Sequence, residues 1–290
     1  MGLYDIFGST AEAAIRIWVR ILGRTLAPAE QPWLRCPIGL PNAVGTQIYA
    51  NIAEQENLEQ RLSTSAGLLS SFDDLQSDNF DSSKIHPSIR HFYEKTGAYE
   101  LEAWCEIGLL ARPLLWALVT LVSRRMNQLV FPLSPLELSG GMTNEIIEFI
   151  DRGTSKRVYT GWRRKLVSHN SIIYAGLYST AIPPLYGRPC VKVTFPVRRG
   201  SAAVILRPEA QPDGSFKLIS EGKTLGDPGF YRIVSTTDKR WAVRYIRNLR
   251  ESFHVYMHPD GNLRTEHTIR LLGAPVLKLH YKMRLRSASG

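Results

Sequence analysis

Cysteine and the common catalytic signatures are what this sequence has least of. Its 290 residues contain three cysteines, Cys36, Cys105 and Cys190, which are odd in number and far apart. This spacing gives no basis for a disulfide framework or for paired CxxC metal ligands, and it suits a reducing compartment. The motifs GxxxxGK[ST], GxGxxG, GxSxG and HExxH are also missing. Their absence argues against a P-loop enzyme, a Rossmann domain, an α/β-hydrolase and a common zinc site.

A long uncharged apolar run is missing as well. The most apolar stretch, 107 to 122, has only 16 residues and carries Arg112 and Pro113 near its centre, whereas a membrane-spanning helix needs about 20 mostly uncharged residues. We expect a buried core helix kinked at Pro113, with partial insertion into one leaflet as the alternative. The N-terminus has no basic segment followed by an apolar core and no myristoylation signal. We therefore expect a cytoplasmic protein, with a peripheral membrane location as the alternative.

Charge is unevenly distributed along the chain. Residues 1 to 150 carry 11 Lys and Arg against 17 Asp and Glu, and residues 151 to 290 carry 25 against 9, a net charge of +16 in the second half. This concentration favours an anionic partner of some kind: nucleic acid, a membrane surface or an acidic small molecule.

Helical patterns dominate the first half. Apolar spacing predicts helices over 10–26, 47–62, 87–99 and 142–150, and the polar, acidic segment 63–83 is predicted to be a flexible loop that holds one short helix. The first helix is amphipathic: an apolar stripe that includes Trp18 and Ile21 runs beside Arg16, Arg20 and Arg24. Such a helix lies in a membrane interface or packs on its own domain.

The pattern changes to strands in the second half. Short runs rich in β-branched and aromatic residues, separated by Gly, Pro and Asn, predict strands over 157–166, 171–180, 191–197, 202–207, 216–220 and 230–235. Residues 251 to 285 add a three-strand antiparallel meander, because Pro259-Asp260-Gly261 and Gly273-Ala274-Pro275 interrupt three alternating runs. The segment 238–251 fits a helix or a strand, and we expect a helix.

These patterns together predict an α+β protein. A helical N-terminal region, 1–150, packs on a basic antiparallel domain, 151–290, which forms a β-barrel or a strongly curved sheet of about nine strands.

Polar residues on the apolar face of the meander are the first candidates for a site. Because alternate residues of a strand point to the same face, His267 is expected on the face of Leu263 and Leu271, and Glu251 on the face of Val255. A buried carboxylate beside an imidazole can act as a general acid/base pair, although a core histidine that is merely hydrogen-bonded gives the same pattern. Tyr281, inward on the last strand, and Asp227, in a turn that it can also simply cap, are further catalytic candidates.

Inward arginines are the second set of candidates. Alternation places Arg164 or Arg232 on the inner face, where a guanidinium needs a carboxylate or phosphate from the protein or from a ligand. A structural salt bridge or an outward arginine on a twisted strand is the alternative. We add Trp162, which shares parity with Arg164, and Tyr245 as substrate-binding candidates.

From these residues we expect a cavity that binds an apolar small molecule bearing an anionic group. If the protein is an enzyme, we expect it to catalyse isomerisation, cyclisation or elimination in this cavity without a cofactor. We expect no metal, because His254 and His258 have no third ligand. One alternative is a non-catalytic membrane-surface protein. Another is binding of single-stranded nucleic acid by the basic, aromatic segments 157–166 and 239–250, whose composition a charged outer sheet face also produces.

Overall fold

The computed structural model describes residues 3–40, 47–107, 142–166, 172–236 and 238–286, which form a mostly antiparallel sheet with three α-helices. The helices are α1 (Leu3–Leu22), α2 (Ile48–Gln55) and α3 (Pro87–Glu94). The first seven strands are β1 (Arg24–Leu26), β2 (Leu58–Ser63), β3 (Tyr99–Ile107), β4 (Met142–Asp151), β5 (Arg157–Leu166), β6 (Ile172–Ala181) and β7 (Cys190–Val197). The other seven are β8 (Gly200–Ala210), β9 (Phe216–Ile219), β10 (Gly229–Ser235), β11 (Trp241–Tyr245), β12 (Leu249–Met257), β13 (Leu263–Leu271) and β14 (Ala274–Leu285).

The strands form a single curved sheet in the order β2-β4-β5-β6-β7-β8-β9-β12-β13-β14-β3. Strand β8 is long enough to pair with β10 along its first part and with β9 along its last, so β10, β11 and β1 branch from the main path. The amide of Asn144 on β4 donates to the carbonyl of Tyr99 on β3 at 3.3 Å, so one end of the strand order lies close to the strand next to the other end. Among the described strands no pairing closes the sheet into a barrel.

The predicted meander is confirmed as β12, β13 and β14. Its faces alternate as expected, since Leu263, Thr265 and His267 are buried while Glu266 is exposed. The six predicted strands from 157 to 235 are confirmed as β5 to β10, with small differences at their ends.

Two helix predictions are wrong. Residues 142–150 form β4, and residues 238–251 form β11, a turn and the start of β12. In both segments the alternation is hidden because the strand is covered on its two faces. Neighbouring Ile146 and Ile147 are both buried, and so are Trp241, Ala242 and Val243. A strand buried on both sides shows no alternation of apolar and polar residues.

The predicted helix over 47–62 is correct only in its first half, which is α2. Its second half is the edge strand β2. Together with β1, β3, β4 and β11, which were also not expected, this strand gives the described sheet 14 strands where about nine were expected. The division into regions 1–150 and 151–290 stays a prediction. Strand β4 crosses that boundary and pairs with β5. Apart from Ile107, the apolar stretch 107–122 lies outside the described residues.

The acidic segment 63–83 contributes to the main core. Its predicted short helix is the 3₁₀ helix Phe72–Leu75, whose first and last residues are fully buried. The ring of Phe72 packs edge-on to Phe216 of β9, with ring centroids 5.1 Å apart. The ring of Tyr93 of α3 also packs on Phe216, with centroids 5.4 Å apart. This aromatic cluster fixes the segment 63–98 against the concave face of the sheet.

The helices α1 and α2 pack on opposite faces of the sheet, with α2 on the outer face. Ile48 and Ile52 of α2 lie in a core cluster with Phe149 and Leu177. Val19 of α1 is buried against Val234 and Ala242, which are neighbours across β10 and β11. Val234 lies on the same side of β10 as the cavity-lining Arg232, so α1 covers the β10–β11 end of the concave face, and the segment 63–98 covers another part of it.

Candidate functional site

The concave face of the sheet encloses a cavity of about 520 Å³ with a largely apolar wall. Six of the eight residues predicted from the sequence line it: Trp162, Arg164, Arg232, Glu251, His267 and Tyr281. Leu68, Phe92 and Tyr93 from the segment 63–98 complete one wall, and the strands supply most of the rest. Its volume lies within the range of about 300–1,000 Å³ that is usual for small-molecule sites.

Glu251 and His267 form a buried hydrogen-bonded pair in this wall. They lie diagonally across β12 and β13, because His267 is opposite Phe253 in the register and Glu251 is opposite Ile269. The carboxylate Oε1 of Glu251 contacts Nε2 of His267, and both residues are more than nine-tenths buried. Burial strengthens such a bond and makes the loss of either partner costly.

Neighbouring residues hold the pair in place. The backbone N–H of Glu251 donates to Oγ of Ser220 at 2.7 Å, and the Ser220 N–H donates to the Glu251 carbonyl at 2.9 Å. The His267 ring stacks on Phe253 with centroids 3.9 Å apart. Its second nitrogen, Nδ1, is buried and makes no hydrogen bond to the described residues. The imidazole is thus oriented by one nitrogen and has the other unused.

Arg164 is a buried cation surrounded by aromatic rings. Its Cζ lies 3.7 Å from the ring centroid of Trp162 and 4.9 Å from those of Tyr174 and Tyr281. Trp162 has the same parity on β5, and Tyr174 is directly opposite Arg164 on β6. Within the described parts of the chain, no carboxylate lies within ion-pair distance of the guanidinium, and its Nε–H lacks an acceptor. Cation–π contacts stabilise this charge but do not neutralise it.

Two tyrosines beside Arg164 were not predicted from the sequence. The hydroxyls of Tyr174 and Tyr178 on β6 are 2.7 Å apart, and both residues line the cavity. Burial raises the pKa of both; the nearby charge of Arg164 lowers the pKa of Tyr178 and that of Glu251 raises it. Because they are four residues apart on a predicted strand, both are expected on the same face of the sheet. That shared face is the sequence signal from which they could have been predicted.

Arg232 lines the cavity but uses its guanidinium elsewhere. Its Nη1 donates to the carbonyls of Ser201 at 2.9 Å and Ile233 at 2.8 Å. Burial lowers the pKa of Arg232 to about 10. This arginine therefore binds backbone carbonyls of β8 and β10. Arg164, in contrast, is the inward arginine whose Nε–H has no acceptor among the described residues.

Asp227 and Tyr245 do not line the cavity. The carboxylate of Asp227 accepts from the backbone N–H groups of Lys223 at 2.9 Å and Thr224 at 3.1 Å, so it caps a turn. The Tyr245 hydroxyl donates to the Pro228 carbonyl at 3.3 Å, and its ring packs on Tyr231 in an outer core cluster.

Basic residues of the segment 157–166 other than Arg164 have partners that do not line the cavity. Arg163 and Lys165 both bind the carboxylate of Glu145, at 2.6 and 2.9 Å, and Arg157 binds Glu148 at 3.2 Å. The alternation of β5 thus separates the outer ion pairs of Arg163 and Lys165 from the inner Trp162 and Arg164.

Metal-binding and thiol chemistry find little support in the described chain. No group of three or more His, Cys, Asp or Glu side chains there is arranged to hold a metal ion. His254 contacts Ser215 at 2.8 Å and His258 contacts Asp260 at 3.1 Å, so the two histidines have separate partners. Burial raises the pKa of the Cys36 and Cys190 thiols to about 12, which makes both poor nucleophiles.

Comparison with known proteins leaves the family open. No family model matches the chain. No solved structure matches it either. The chain is 25% identical over 241 residues to the Uncharacterized membrane protein YndJ of Bacillus subtilis (strain 168), a match that covers 83% of the chain and 41% of that protein. The chain thus spans less than half the length of this relative. Within the described residues, no helix has both the length and the apolarity needed to cross a membrane.

Proposed function

We propose that the protein binds an apolar small molecule with an anionic group, whose apolar part fills the cavity and whose acid group pairs with Arg164. The observation that carries this proposal is a guanidinium that is more than nine-tenths buried in an apolar wall without an acidic partner among the described residues. The barrel-like enclosure predicted from the sequence belongs to the same proposal, since a sheet curled around the ligand excludes water from it.

Energetics favour an anion over a neutral ligand. Removing a guanidinium from water costs several kcal/mol, and a counter-ion in the same dry space offsets much of that cost. A carboxylate or phosphate can also accept two parallel N–H bonds from arginine, which adds orientation to affinity. A neutral ligand of the same shape would leave the charge of Arg164 without a partner.

The test is a calorimetric titration with dodecanoate and dodecanol, which differ in the anionic group. We expect the wild-type protein to prefer dodecanoate. Arg164→Met keeps most of the side-chain volume and should weaken dodecanoate binding by about 10- to 100-fold, because a charge-assisted hydrogen bond contributes about 1.5–3 kcal/mol. Dodecanol should bind the variant as well as the wild type.

Arg163→Met is the matched control for this titration. Arg163 is adjacent on β5 and points to the outer face, where it pairs with Glu145. Its removal should leave the affinity for dodecanoate unchanged. Equal loss in both variants, or equal binding of dodecanoate and dodecanol by the wild type, would contradict the proposal.

A second candidate function is attachment to an anionic membrane surface, which the exposed side of α1 favours. Ile17, Trp18, Ile21 and Leu22 are between 39% and 72% exposed, although Val19 on the other side of the helix is buried. Arg20 and Arg24 are exposed beside them, and the guanidinium of Arg244 lies 5.4 Å from the Trp18 ring centroid. Aromatic and aliphatic side chains rimmed by arginines are typical of helices that lie in an anionic bilayer interface. The membrane-protein name of the Bacillus relative is compatible with this candidate.

Cosedimentation with phosphatidylglycerol vesicles tests the second candidate. The double variant Trp18→Glu/Ile21→Glu should lose binding that the wild type shows at low salt. The control Leu62→Glu/Leu185→Glu changes two equally exposed leucines outside α1 and should still bind. Absence of wild-type binding at low salt, or equal loss in both double variants, would reject membrane attachment through α1.

A further inference from the structure

We infer that Glu251 and His267 are an acid–base pair that moves a proton on the ligand held by Arg164. The inference rests on the proposed function, because it needs a ligand in the cavity. It adds a ligand class: an apolar acid that carries a carbonyl group a few bonds from its acid group. It also adds a reaction, which is enolisation at the carbon next to that carbonyl.

The contact with Glu251 determines which nitrogen of His267 is the base. An ionised carboxylate can only accept hydrogen bonds, so Nε2 carries the hydrogen and Nδ1 of the neutral imidazole has the free lone pair. Nδ1 has no donor among the described residues, although His267 is only 7% exposed. A buried acceptor without a partner is costly unless something else supplies the proton. Because His267 lines the cavity, a ligand bound there can supply that proton.

Tyr281 links the base to the anion site. The rings of His267 and Tyr281 are nearly parallel, with centroids 6.5 Å apart, and the Arg164 Cζ lies 4.9 Å from the same Tyr281 ring. The cation and the base therefore flank one side chain. A ligand whose acid group is bound at Arg164 has its carbons within reach of His267 after a few bonds. This spacing is why the carbonyl group is expected close to the acid group and not at the far end of the chain.

The tyrosine pair supplies a donor for the negative oxygen that forms. Tyr174 and Tyr178 share one hydrogen bond, so one of their two hydroxyl hydrogens remains for another acceptor. Burial keeps both hydroxyls protonated by raising the pKa of each. A preorganised neutral donor in a dry site stabilises an enolate oxygen without transferring its own proton.

The reaction balances without a cofactor. Nδ1 of His267 takes the proton from the carbon beside the carbonyl, and the C–H electron pair becomes the enolate, with its charge on the carbonyl oxygen. Glu251 stabilises the imidazolium that results. The proton then returns to the same carbon, or to a conjugated carbon when the ligand has a double bond, which shifts that bond. Nothing is oxidised or reduced in either outcome.

Deuterium exchange into 4-, 5- and 6-oxododecanoic acids tests the inference. Each acid is incubated with protein in D₂O, and ¹H NMR follows the loss of signal from the carbons beside the ketone. We expect the wild type to accelerate exchange for at least one acid, and His267→Gln and Glu251→Gln each to reduce that rate by about 100-fold, the usual contribution of a general base. His254→Gln, on the outward side of β12, should exchange at the wild-type rate.

Dodecanoate affinity is measured for each protein in parallel, which separates the two proposals. Dodecanoate binding that persists in both variants, together with lost exchange, supports the acid–base pair. If the wild type binds dodecanoate but exchanges none of the three acids faster than His267→Gln does, the inference is overturned and the proposed function stands. If the wild type does not bind dodecanoate, the proposed function itself fails. Since the two variants alter different partners, misfolding of one leaves the other to decide the result.

Discussion

Individual charged residues in the interior differ in how their charges are satisfied. Arg232 donates to two backbone carbonyls, whereas the guanidinium of Arg164 lies against aromatic rings. Lys192 resembles Arg232: it is buried, and its Nζ donates to the carbonyls of Trp33 at 3.1 Å and Arg35 at 2.7 Å. Among the described residues, the contrast singles out Arg164 as a buried cation whose Nε–H has no acceptor.

Lys192 leads to a prediction about stability and pH. Burial lowers its pKa from the ordinary value of 10.5 to about 8. Between these two values the unfolded chain binds more protons than the folded chain, so the contribution of Lys192 to the free energy of unfolding rises with pH. Relative to Lys192→Met, the wild type should gain about 2 kcal/mol between pH 7 and pH 9.5.

Urea denaturation of both proteins at the two pH values measures this gain. Titrating groups that do not interact with Lys192 affect both proteins alike and cancel in the difference. Cys36 does interact with Lys192, but burial raises the pKa of its thiol to about 12, so it stays protonated over this pH range. A difference between wild type and Lys192→Met that does not change with pH would mean that Lys192 keeps its ordinary pKa in the folded protein.

At the scale of elements, the aromatic contacts of β9 hold the segment 63–98 on the sheet. Phe216 is fully buried and touches the rings of Phe72, Phe80 and Tyr93. We predict that Phe216→Ala lowers the free energy of unfolding by about 3–5 kcal/mol, the usual cost of removing a buried phenylalanine. Lys217→Ala, the next residue on the opposite face of β9, should cost less than about 1 kcal/mol. Urea denaturation compares the two, and similar small losses would show that the cluster contributes little.

An element of the fold could be predicted from the sequence when one of its faces is exposed to solvent. The meander was predicted because Glu266 and its outward neighbours face water while Thr265 and His267 do not. Strand β4 was missed, and for β11 the helix was preferred over the strand alternative, because tertiary packing covers both faces of each strand. The periodicity of a short segment carries no information about elements that are distant in sequence, and in these strands such elements bury the second face.

The same reasoning explains which parts of the site were predicted. Parity alone brought Glu251, His267 and Arg164 to the inner face, and the structure brings them to one cavity. Parity could not tell that Arg232 would bind backbone carbonyls or that Asp227 would cap a turn. Nor could it show that Tyr174 and Tyr178 share a hydrogen bond, since these facts depend on distances in three dimensions.

For the whole molecule, the two candidate functions use different sets of residues. The described residues that line the cavity with Arg164 include none from α1, and the apolar residues Trp18 and Ile21 of α1 are exposed to solvent. The two are therefore testable independently. Loss of vesicle binding in Trp18→Glu/Ile21→Glu should leave dodecanoate affinity unchanged, and loss of dodecanoate binding in Arg164→Met should leave vesicle binding unchanged.

The central claim is that Arg164 is the counter-ion for a ligand in an apolar cavity, and the calorimetric titration of wild type and Arg164→Met tests it most directly. We predict that dodecanoate binds the wild type more tightly than dodecanol, and that Arg164→Met removes this preference by weakening dodecanoate about 10- to 100-fold while dodecanol is unaffected. A wild type that binds neither compound, or an Arg164→Met variant that keeps the full preference for dodecanoate, would contradict the claim.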